Sequence, residues 1–414
     1  MTDSQAAPRP PRRAALAFIF VTVLLDMLAL GMIIPVLPKL VESFVGGNTV
    51  TAAWVFGLFG TAWALMQFAF SPVFGALSDR YGRRPVILMS NLGMGLDYIL
   101  MALAPTLWLL LIGRVISGIT SASITTAFAY IADVTKPEQR ARSFGLLGAA
   151  FGAGFVLGPA IGGLLASFGP RTPFWVAAAF SLANAAYGAF VLPESLRKEL
   201  RAKFEWRKAN PFGSMVLLRS HPELFGLASA NFLAFLAHNV LQTVFVLYAS
   251  FRYGWDEKTV GLTLAGVGVC FAFVQAGLTG PFVARFGERV ALFTGLVGGT
   301  AGFVIYGLAP TGTWFWVGIP VMSLWGLAGP SIQGMMSRRV SASEQGQLQG
   351  ANNSLTGIAN LIGPIIFSVV FAYSIGAGRH FGAPGAAFLL AGVMLLAAAF
   401  VSWHAARPRP PAVT

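Results

Sequence analysis

Long apolar runs alternate with short polar connections along the whole chain of 414 residues. About 20 mostly apolar helical residues cross the hydrocarbon layer of a membrane, and the runs here reach or exceed that length. The pattern therefore predicts twelve membrane-spanning helices. In chain order the predicted spans are 14–37, 52–77, 85–104, 107–131, 143–167, 173–192, 222–249, 259–283, 290–309, 313–335, 347–372 and 383–403.

One polar segment is much longer than the others, residues 193–221, with Lys or Arg at seven positions and three Glu. It predicts a solvated linker between an N-terminal bundle of six helices, residues 1–192, and a C-terminal one, residues 222–414. The first apolar run begins after Arg13, extends to about Leu37 and contains Asp26. This is longer than the apolar region of a signal peptide, so we predict a retained first span.

The two halves repeat each other at an offset of 205 residues. Four residues of the loop after the second span, and the segment GPAI at 158–161, recur at that spacing. Duplicated helical halves are typical of secondary transporters. We therefore predict an all-α membrane protein with two pseudo-symmetric six-helix bundles. The matched loop residues are Gly75, Arg80, Gly82 and Arg84, followed by Gly280, Arg285, Gly287 and Arg289.

Composition and charge agree with a membrane protein. Hydrophobic residues make up 56% and charged residues 10%, whereas about 25% is usual in soluble domains. The net charge is +13, and 22 of the 28 Lys and Arg lie in the termini, the linker and alternate loops. This positive-inside pattern places both termini in the cytoplasm and excludes a nucleic-acid partner. The single Cys270 excludes an internal disulfide, and no ligand spacing predicts a metal or a cofactor.

Three charged residues lie well inside the spans: Asp26, Asp97 and Arg114. Such residues are costly in a membrane and mark functional sites by default. Asp97 and Arg114 are almost equidistant from the turn at 105–106, so they lie at similar depth. Either carboxylate could pair with Arg114, as a static ion pair or as a site that gains and loses a proton when Arg114 moves. We predict proton coupling through these three residues.

The spans of the second half carry uncharged polar groups instead. The residue 205 positions after Asp26 is Asn231, and the residue after Asp97 at that offset is Gly302. We predict that the second half contributes more to substrate contacts, with packing between helices as the alternative for each side chain. The candidate substrate-binding residues are Asn231, His238, Asn239, Gln242, Gln275 and Gln333.

The loop between the second and third spans has the pattern of a charged latch. Gly82 permits a tight turn, and Asp79 can accept hydrogen bonds from Arg side chains or cap the next helix. At the equivalent of Asp79 stands Ala284, so we expect a weaker latch in the second half. The gating residues predicted in this loop are Gly75, Asp79, Arg80, Gly82, Arg83 and Arg84.

The fifth predicted span is rich in glycine at spacings of four, including Gly154 and Gly158, and Pro159 follows. Small residues at this spacing let helices approach closely, and Pro kinks a helix. We predict a bending element at the interface between the halves, with packing alone as the alternative.

At these residues the chain resembles the major facilitator superfamily, and within it the twelve-helix tetracycline/proton antiporters of bacteria. The resemblance implies that the residues above at 26, 79, 83, 84, 97 and 114, together with Asp133, match functional positions, and that Gln275 matches a polar position. It also implies a His and an Asp where this chain has Phe271 and Gly299. The segments that carry the likeness include LDMLALGMIIPVLPKL at 25–40, ALSDRYGRRPVILMSNLGMGLDY at 76–98 and FGLLGAAFGAGFVLGPAIGG at 144–163.

The resemblance implies a proton-coupled antiporter, not an enzyme, that exports tetracycline-like or other drug-like compounds. It would work by alternating access in the lipid bilayer of the bacterial inner membrane, as a monomer. The alternatives are an exporter of another drug or an endogenous metabolite, and, from a different class, a channel or a non-transporting sensor. A channel needs a continuous polar stripe, and an intramembrane enzyme needs a nucleophile–base pair or a metal cluster.

Overall fold

The twelve predicted membrane crossings are present in the computed structural model, which describes residues 13–121, 123–135, 139–202, 215–341 and 344–406. Eleven helical segments are long and apolar enough to cross a membrane. One of them, Glu257–Leu308, has 52 residues and turns at Gly287, so it contains two crossings and the eleven segments provide twelve crossings. The all-α membrane fold predicted from the sequence is confirmed.

Several crossings are built from more than one helix. Crossings are numbered as spans 1 to 12 in chain order. Their helices are Arg13–Ile33 with Leu37–Phe44 (span 1), Thr49–Tyr81 (2), Arg83–Leu103 (3), Leu107–Thr120 with Ser123–Val134 (4), Arg140–Ala166 (5), Thr172–Val191 (6), Pro222–Thr243 with Phe245–Tyr253 (7), Glu257–Phe273 with the π-helical turn Val274–Leu278 (8), Thr279–Leu308, which begins in span 8 and continues as span 9 after Gly287, Gly312–Ser323 with the 3₁₀ turn Leu324–Leu327 and Ala328–Ser337 (10), Gln345–Ile375 (11) and Ala386–Ala405 (12).

The expected ends of spans 1 and 7 were too early. Span 1 continues to Phe44 rather than Leu37, so Lys39, expected in a loop, lies in a helix. The prolines at 35 and 38 lack backbone donors and interrupt the helix between Ile33 and Leu37 without ending the crossing. Span 7 likewise continues past an interruption at Val244 to Tyr253.

Only part of the predicted linker belongs to the described residues. The structure describes 193–202, which include the 3₁₀ turn Lys198–Leu200, and 215–221, which include the helix Val216–Ser220. Residues 203–214 lie outside it, together with the basic residues of both termini at positions 9, 12, 407 and 409.

The same helix pairs pack in both halves. Spans 1 and 5, 3 and 6, 1 and 6, and 2 and 4 are in contact, and so are their equivalents 7 and 11, 9 and 12, 7 and 12, and 8 and 10. The close approach of spans 1 and 5 depends on Gly158, where a Cβ would stand 2.7 Å from the Cα of Gly31. Between the halves, span 5 packs on span 8 and span 2 packs on span 11.

The halves touch along only part of their length. Thr61 Oγ1 donates to the carbonyl of Leu361 at 3.2 Å, and Lys39 Nζ donates to Ser250 Oγ at 2.6 Å. The membrane side that carries the turns at Gly82 and Gly287 is here called the latch side. Toward it, positions such as Gly148 and Gly152 have no described heavy atom within 4 Å of a Cβ placed there. The hydrogen bonds from Thr61 and Lys39 thus lie at mid-span and toward the side opposite the latch side.

Candidate functional site

A cluster of buried polar groups lies inside the first half. Asp26 and Asp97 are each 1% exposed although both are ionisable. Asp26 Oδ1 accepts a hydrogen bond from Asn184 Nδ2 at 3.2 Å, which connects span 1 to span 6. Thr22 Oγ1 donates to Asn184 Oδ1 at 3.1 Å, so the amide is fixed from both sides. Asp26 thus sits in a defined hydrogen-bonded position between two helices.

Asp97 faces span 4 rather than span 1. A Cβ on Gly113 would stand 2.8 Å from Asp97 Oδ1, so the missing side chain makes room for the carboxylate. Neither Asp97 oxygen meets hydrogen-bond geometry with a described residue, and its polar neighbours are Arg114 and Ser117. A buried carboxylate with so few partners is a group that can gain or lose a proton when its surroundings change.

Arg114 lies near Asp97 and against an aromatic ring of span 2. Its guanidinium carbon is 5.4 Å from the centroid of the Trp63 ring, in a cation–π arrangement. Arg114 is within electrostatic range of Asp97, and all three charged groups interact with the buried Tyr98. Among the described residues, neither Asp97 oxygen forms a hydrogen bond with Arg114, so that one of the two pairings left open by the sequence is not made in this conformation.

The predicted latch forms around Arg83. Its Nη1 lies 2.5 Å from Asp79 Oδ1 and 2.7 Å from Ser78 Oγ, and its Nε lies 3.0 Å from Asp133 Oδ2. The turn depends on Gly82, whose φ of 108° is unfavourable for residues with a side chain. The ends of spans 2, 3 and 4 are thereby joined by one guanidinium.

The other predicted gating residues do not share this ion pair. Arg84 donates to the carbonyl of Ala189 at 2.5 Å, at the end of span 6. Arg80 lies over the ring of Tyr81, and the backbone carbonyl of Gly75 accepts from Ser78.

The start of the linker packs on the latch, which the sequence reasoning missed. Glu194 accepts hydrogen bonds from the backbone N–H groups of Arg83 at 2.8 Å and Arg84 at 3.3 Å, so it caps span 3. Ser195 Oγ donates to Asp133 Oδ2 at 3.0 Å, and the Ala202 N–H donates to the carbonyl of Asp79 at 3.1 Å. The signal available in the sequence was an acidic residue at the first polar position after span 6.

The second half has a latch of opposite polarity. Arg338 pairs with Glu288 through both carboxylate oxygens, with Nη1 2.8 Å from Oε1. These two positions are 205 residues beyond Asp133 and Arg83, so the cation and the anion have exchanged places. Ala284 leaves this pair without an equivalent of Asp79.

The predicted substrate-binding residues fall into separate groups. Asn231 and Gln333 belong to one hydrogen-bonded set that includes Asn352. His238 Nδ1 and Gln242 Nε2 are 3.4 Å apart, and Asn239 Nδ2 donates to Asn360 Oδ1 at 3.2 Å. Gln275 is exposed within the π-helical turn of span 8, a deformation that is frequent at functional sites.

Phe271 and Gly299, the two positions that depart from the family pattern, differ in how closely other side chains surround them. Phe271 is partly exposed on span 8. Gly299 is buried on span 9, where a Cβ would stand 2.7 Å from Leu395 Cδ1 and 3.1 Å from Trp325 Cβ. A carboxylate at position 299 would therefore require these side chains to move.

The predicted bending element lies where three spans meet. A Cβ on Gly154 would stand 3.0 Å from the carbonyl oxygen of Leu24, against span 1. Pro159 is inside the span 5 helix, and its carbonyl lies against Gly261 of span 8. The segment thus provides close packing both within its half and across the interface.

Comparison with known proteins identifies the family. The model of the Major Facilitator Superfamily matches residues 19–364. The chain belongs to the Major Facilitator Superfamily. It is a multi-pass membrane transporter and not an enzyme, and the predicted family relationship is confirmed.

Several curated superfamily relatives are similar over most of their length. The tetracycline resistance protein of class C from Escherichia coli is 40% identical over 87% of this chain and 90% of its own length. The class B protein from Escherichia coli is 36% identical over 86% of this chain and 88% of its own length. Multidrug resistance protein 2 of Bacillus subtilis is 28% identical over 84% of this chain and 86% of its own length.

Solved superfamily structures share the fold. The human organic anion transporter MFSD10 (TETRAN) matches with a TM-score of 0.70 and 24% identity, over 95% of this chain and 100% of its own. A D-xylose-proton symporter matches with a TM-score of 0.76 and 19% identity, over 94% of this chain and 97% of its own.

Proposed function

We propose that this superfamily member is a proton-coupled antiporter that exports tetracycline-like compounds across the bacterial inner membrane. The observation that carries the proposal is the burial of Asp26 and Asp97 in the bundle that contains Arg114, in a chain 40% identical to a tetracycline resistance protein. The basic loops assign the latch side and both termini to the cytoplasm. An exporter takes its substrate from that side, and the open space beside Gly148 and Gly152 of span 5 supports an opening there.

Proton coupling follows from the mobility of one cation among two carboxylates. Arg114 lies over Trp63, and Asp26 and Asp97 are both buried in the same bundle. Movement of Arg114 toward either group favours release of its proton. A cycle that links this movement to opening and closing of the halves exchanges protons for substrate.

Gating would use the latch and the bending element. The two bundles, 1–192 and 222–414, rock as units joined by the linker 193–221. Breaking and remaking the ion pairs of Arg83 changes the relative positions of spans 2, 3 and 4. Gly154, Gly158 and Pro159 lie where span 5 meets spans 1 and 8, and let span 5 bend as the interface rearranges. All these elements belong to one chain, so a monomer is sufficient.

Substrate contacts are assigned to the amides and His238 of the second half. Together with aromatic side chains they suit a large, flat, amphipathic molecule, because such sites are mostly apolar with a few placed polar groups. Phe271 and Gly299 favour a second candidate, export of another drug-like compound. The family's His and Asp at these positions are linked to proton coupling with a chelated substrate, and both are absent here.

The test is expression in an efflux-deficient bacterial host, with drug tolerance measured with and without a protonophore. We expect increased tolerance to tetracycline that disappears when the proton gradient is dissipated. The D26N variant, measured at equal membrane abundance, is the matched control. If tetracycline tolerance is unchanged while tolerance to a different drug class increases, the proposal that tetracycline is the substrate is rejected. The proposal of an antiporter then still stands. Tolerance that survives the protonophore would reject proton coupling.

A further inference from the structure

A relay of five side-chain amides runs along the latch-side half of spans 7, 10 and 11. Each donates to the next, over distances of 3.1 to 3.4 Å. The relay begins at Asn231 and Asn352, which are 8% and 5% exposed, and ends at three exposed side chains. In donor-to-acceptor order it is Asn231, Asn352, Gln333, Gln349 and Asn353.

The exposed end of the relay lies close to the latch-side surface. Gln349 is four residues from the start of the span 11 helix at Gln345, which places it about 6 Å inside at 1.5 Å per residue. Gln333 is five residues before Arg338, at a similar depth in span 10. Gly357, one turn after Asn353 on span 11, faces span 2, since a Cβ there would stand 2.4 Å from Phe68 Cδ2. Gln349 and Asn353 therefore lie on the face of span 11 that is directed toward the first half, and Gln333 is bonded to Gln349.

The first half presents aromatic rings at the equivalent positions. Residues 205 positions before Gln333 and Gln349 are Phe128 and Phe144. Their ring centroids are 5.8 Å apart with the planes tilted by 32°, and Phe128 is 42% exposed. Gly148 stands at the equivalent of Asn353 and leaves open space beside them. By the 205-residue repeat, the aromatic pair on spans 4 and 5 is the first-half counterpart of the exposed end of the relay on spans 10 and 11.

We propose that these two surfaces form a substrate-binding vestibule at the latch side of the cavity, distinct from the buried site around Asp26. The vestibule consists of Phe128 and Phe144 on one wall and Gln333, Gln349 and Asn353 on the other. This proposal extends the proposed function and rests on it, because the vestibule is the first part of the protein that a substrate from the cytoplasm would reach.

The chemistry of the two walls defines the ligand class. Aromatic rings stack on a flat apolar face, and primary amides both donate and accept hydrogen bonds. The vestibule therefore fits a fused-ring compound with hydroxyl and carbonyl oxygens along one edge. Its amides carry no charge, so it places no requirement on the net charge of the ligand. Tetracycline has this arrangement and serves as the probe.

The experiment compares two ways of removing amides from the contact between spans 10 and 11. The variant Q333L/Q349L removes the exposed part of the relay. The control Q345L removes an amide that joins the same two spans through Ser337, with Nε2 2.7 Å from the Ser337 carbonyl oxygen, and lies outside the relay. Tetracycline binding to the purified, monodisperse proteins is measured by equilibrium dialysis, and uptake is measured in everted membrane vesicles.

We expect Q333L/Q349L to raise the Kd and KM for tetracycline by about tenfold, because two net hydrogen bonds are lost. The maximal rate should remain near the wild-type value, because the vestibule is remote from the carboxylates. F128A should raise KM several-fold while F128W restores it. Q345L should bind tetracycline as the wild type does.

Equal affinities for the double variant and the wild type would overturn the vestibule. So would an equal loss in Q345L, since the effect would then come from packing between the two spans. A wild-type protein that neither binds nor accumulates tetracycline would reject the proposed function itself, and the vestibule with it.

Discussion

The two halves share a scaffold and differ in their polar chemistry. Equivalent helix pairs pack in both, yet the positions of Asp26, Asp97 and Arg114 are occupied by Asn231, Gly302 and Ile319 in the second half. The first half therefore buries ionisable groups within its bundle, while the second carries amides that continue to an exposed surface. The comparison teaches that one pattern of helix packing accommodates different buried chemistry in each half, and in the proposed function these few substitutions separate proton handling from substrate contact.

The latches show the same principle at the membrane surface. Arg83 and Asp133 in the first half correspond to Glu288 and Arg338 in the second, so an ion pair occupies equivalent positions with its polarity exchanged. In both halves an ion pair connects two helix ends. The connection forms whether the cation or the anion stands at the first of the two positions.

The largest expected effect comes from removing Asp26, one of the two buried carboxylates that have no acidic equivalent in the second half. D26N should abolish proton-coupled export, because the amide of Asn does not titrate. The protein should stay folded, because Asn has nearly the same shape as Asp and the second half has Asn231 at the equivalent position. Substrate-induced proton release in everted vesicles measures the coupling. If D26N retains full proton coupling, Asp26 is not the proton carrier, and Asp97 becomes the candidate.

Substitutions of Arg114 should have the second-largest effect on transport. R114A removes the cation that moves among the carboxylates, and R114L tests the apolar side chain type found at the equivalent Ile319. R114K retains the charge but loses the planar guanidinium that stacks on Trp63, so it should impair transport less. Initial rates of substrate uptake at equal protein abundance give the order. Normal transport by R114A would exclude Arg114 from the coupling mechanism.

The polarity of the first latch should be exchangeable. R83E alone places three carboxylates together and should lower turnover by roughly tenfold or more, since it breaks a partly buried pair. The triple variant D79A/R83E/D133R reproduces the second-half arrangement of Ala284, Glu288 and Arg338 and should recover much of the rate. Substrate binding, measured on the same proteins, should change little. Failure of the triple variant with intact folding would show that the direction of the charges matters.

A smaller effect is expected from Asn184, whose equivalent in the second half is Leu389. N184L removes the hydrogen bond to Asp26 and should reduce proton release per substrate several-fold while tetracycline affinity is retained. S181A is the matched control, because Ser181 is buried one turn away on the same span and its hydroxyl bonds no described residue. If both variants behave alike, Asn184 does not position Asp26.

The sequence predicted the crossings because each is a long apolar run, and it predicted the latch because Gly82 and the charges around it lie close together in the chain. It did not predict the Asn184–Asp26 hydrogen bond, which depends on how spans 1 and 6 are rotated against each other. Nor did it predict the helix interruptions at Val244 and Leu324–Leu327. The residues on both sides of each interruption are apolar, so the hydropathy pattern does not change where the backbone geometry does. Glu194 looked like one charge of a solvated linker, and only tertiary packing reveals it as a helix cap.

The attachment of Glu194, Ser195 and Ala202 to the first half determines where the polypeptide can be divided. Cutting the gene after Leu192 would leave the first fragment without the carboxylate that caps span 3 and the hydroxyl that holds Asp133. A division after Ala202 gives that fragment its complete surface before it meets the second. Co-expressed fragments divided after Ala202 should therefore assemble into an active transporter more efficiently than those divided after Leu192, as measured by copurification and uptake. The segment that joins the halves is thus, in its first ten residues, part of the folding unit that precedes it.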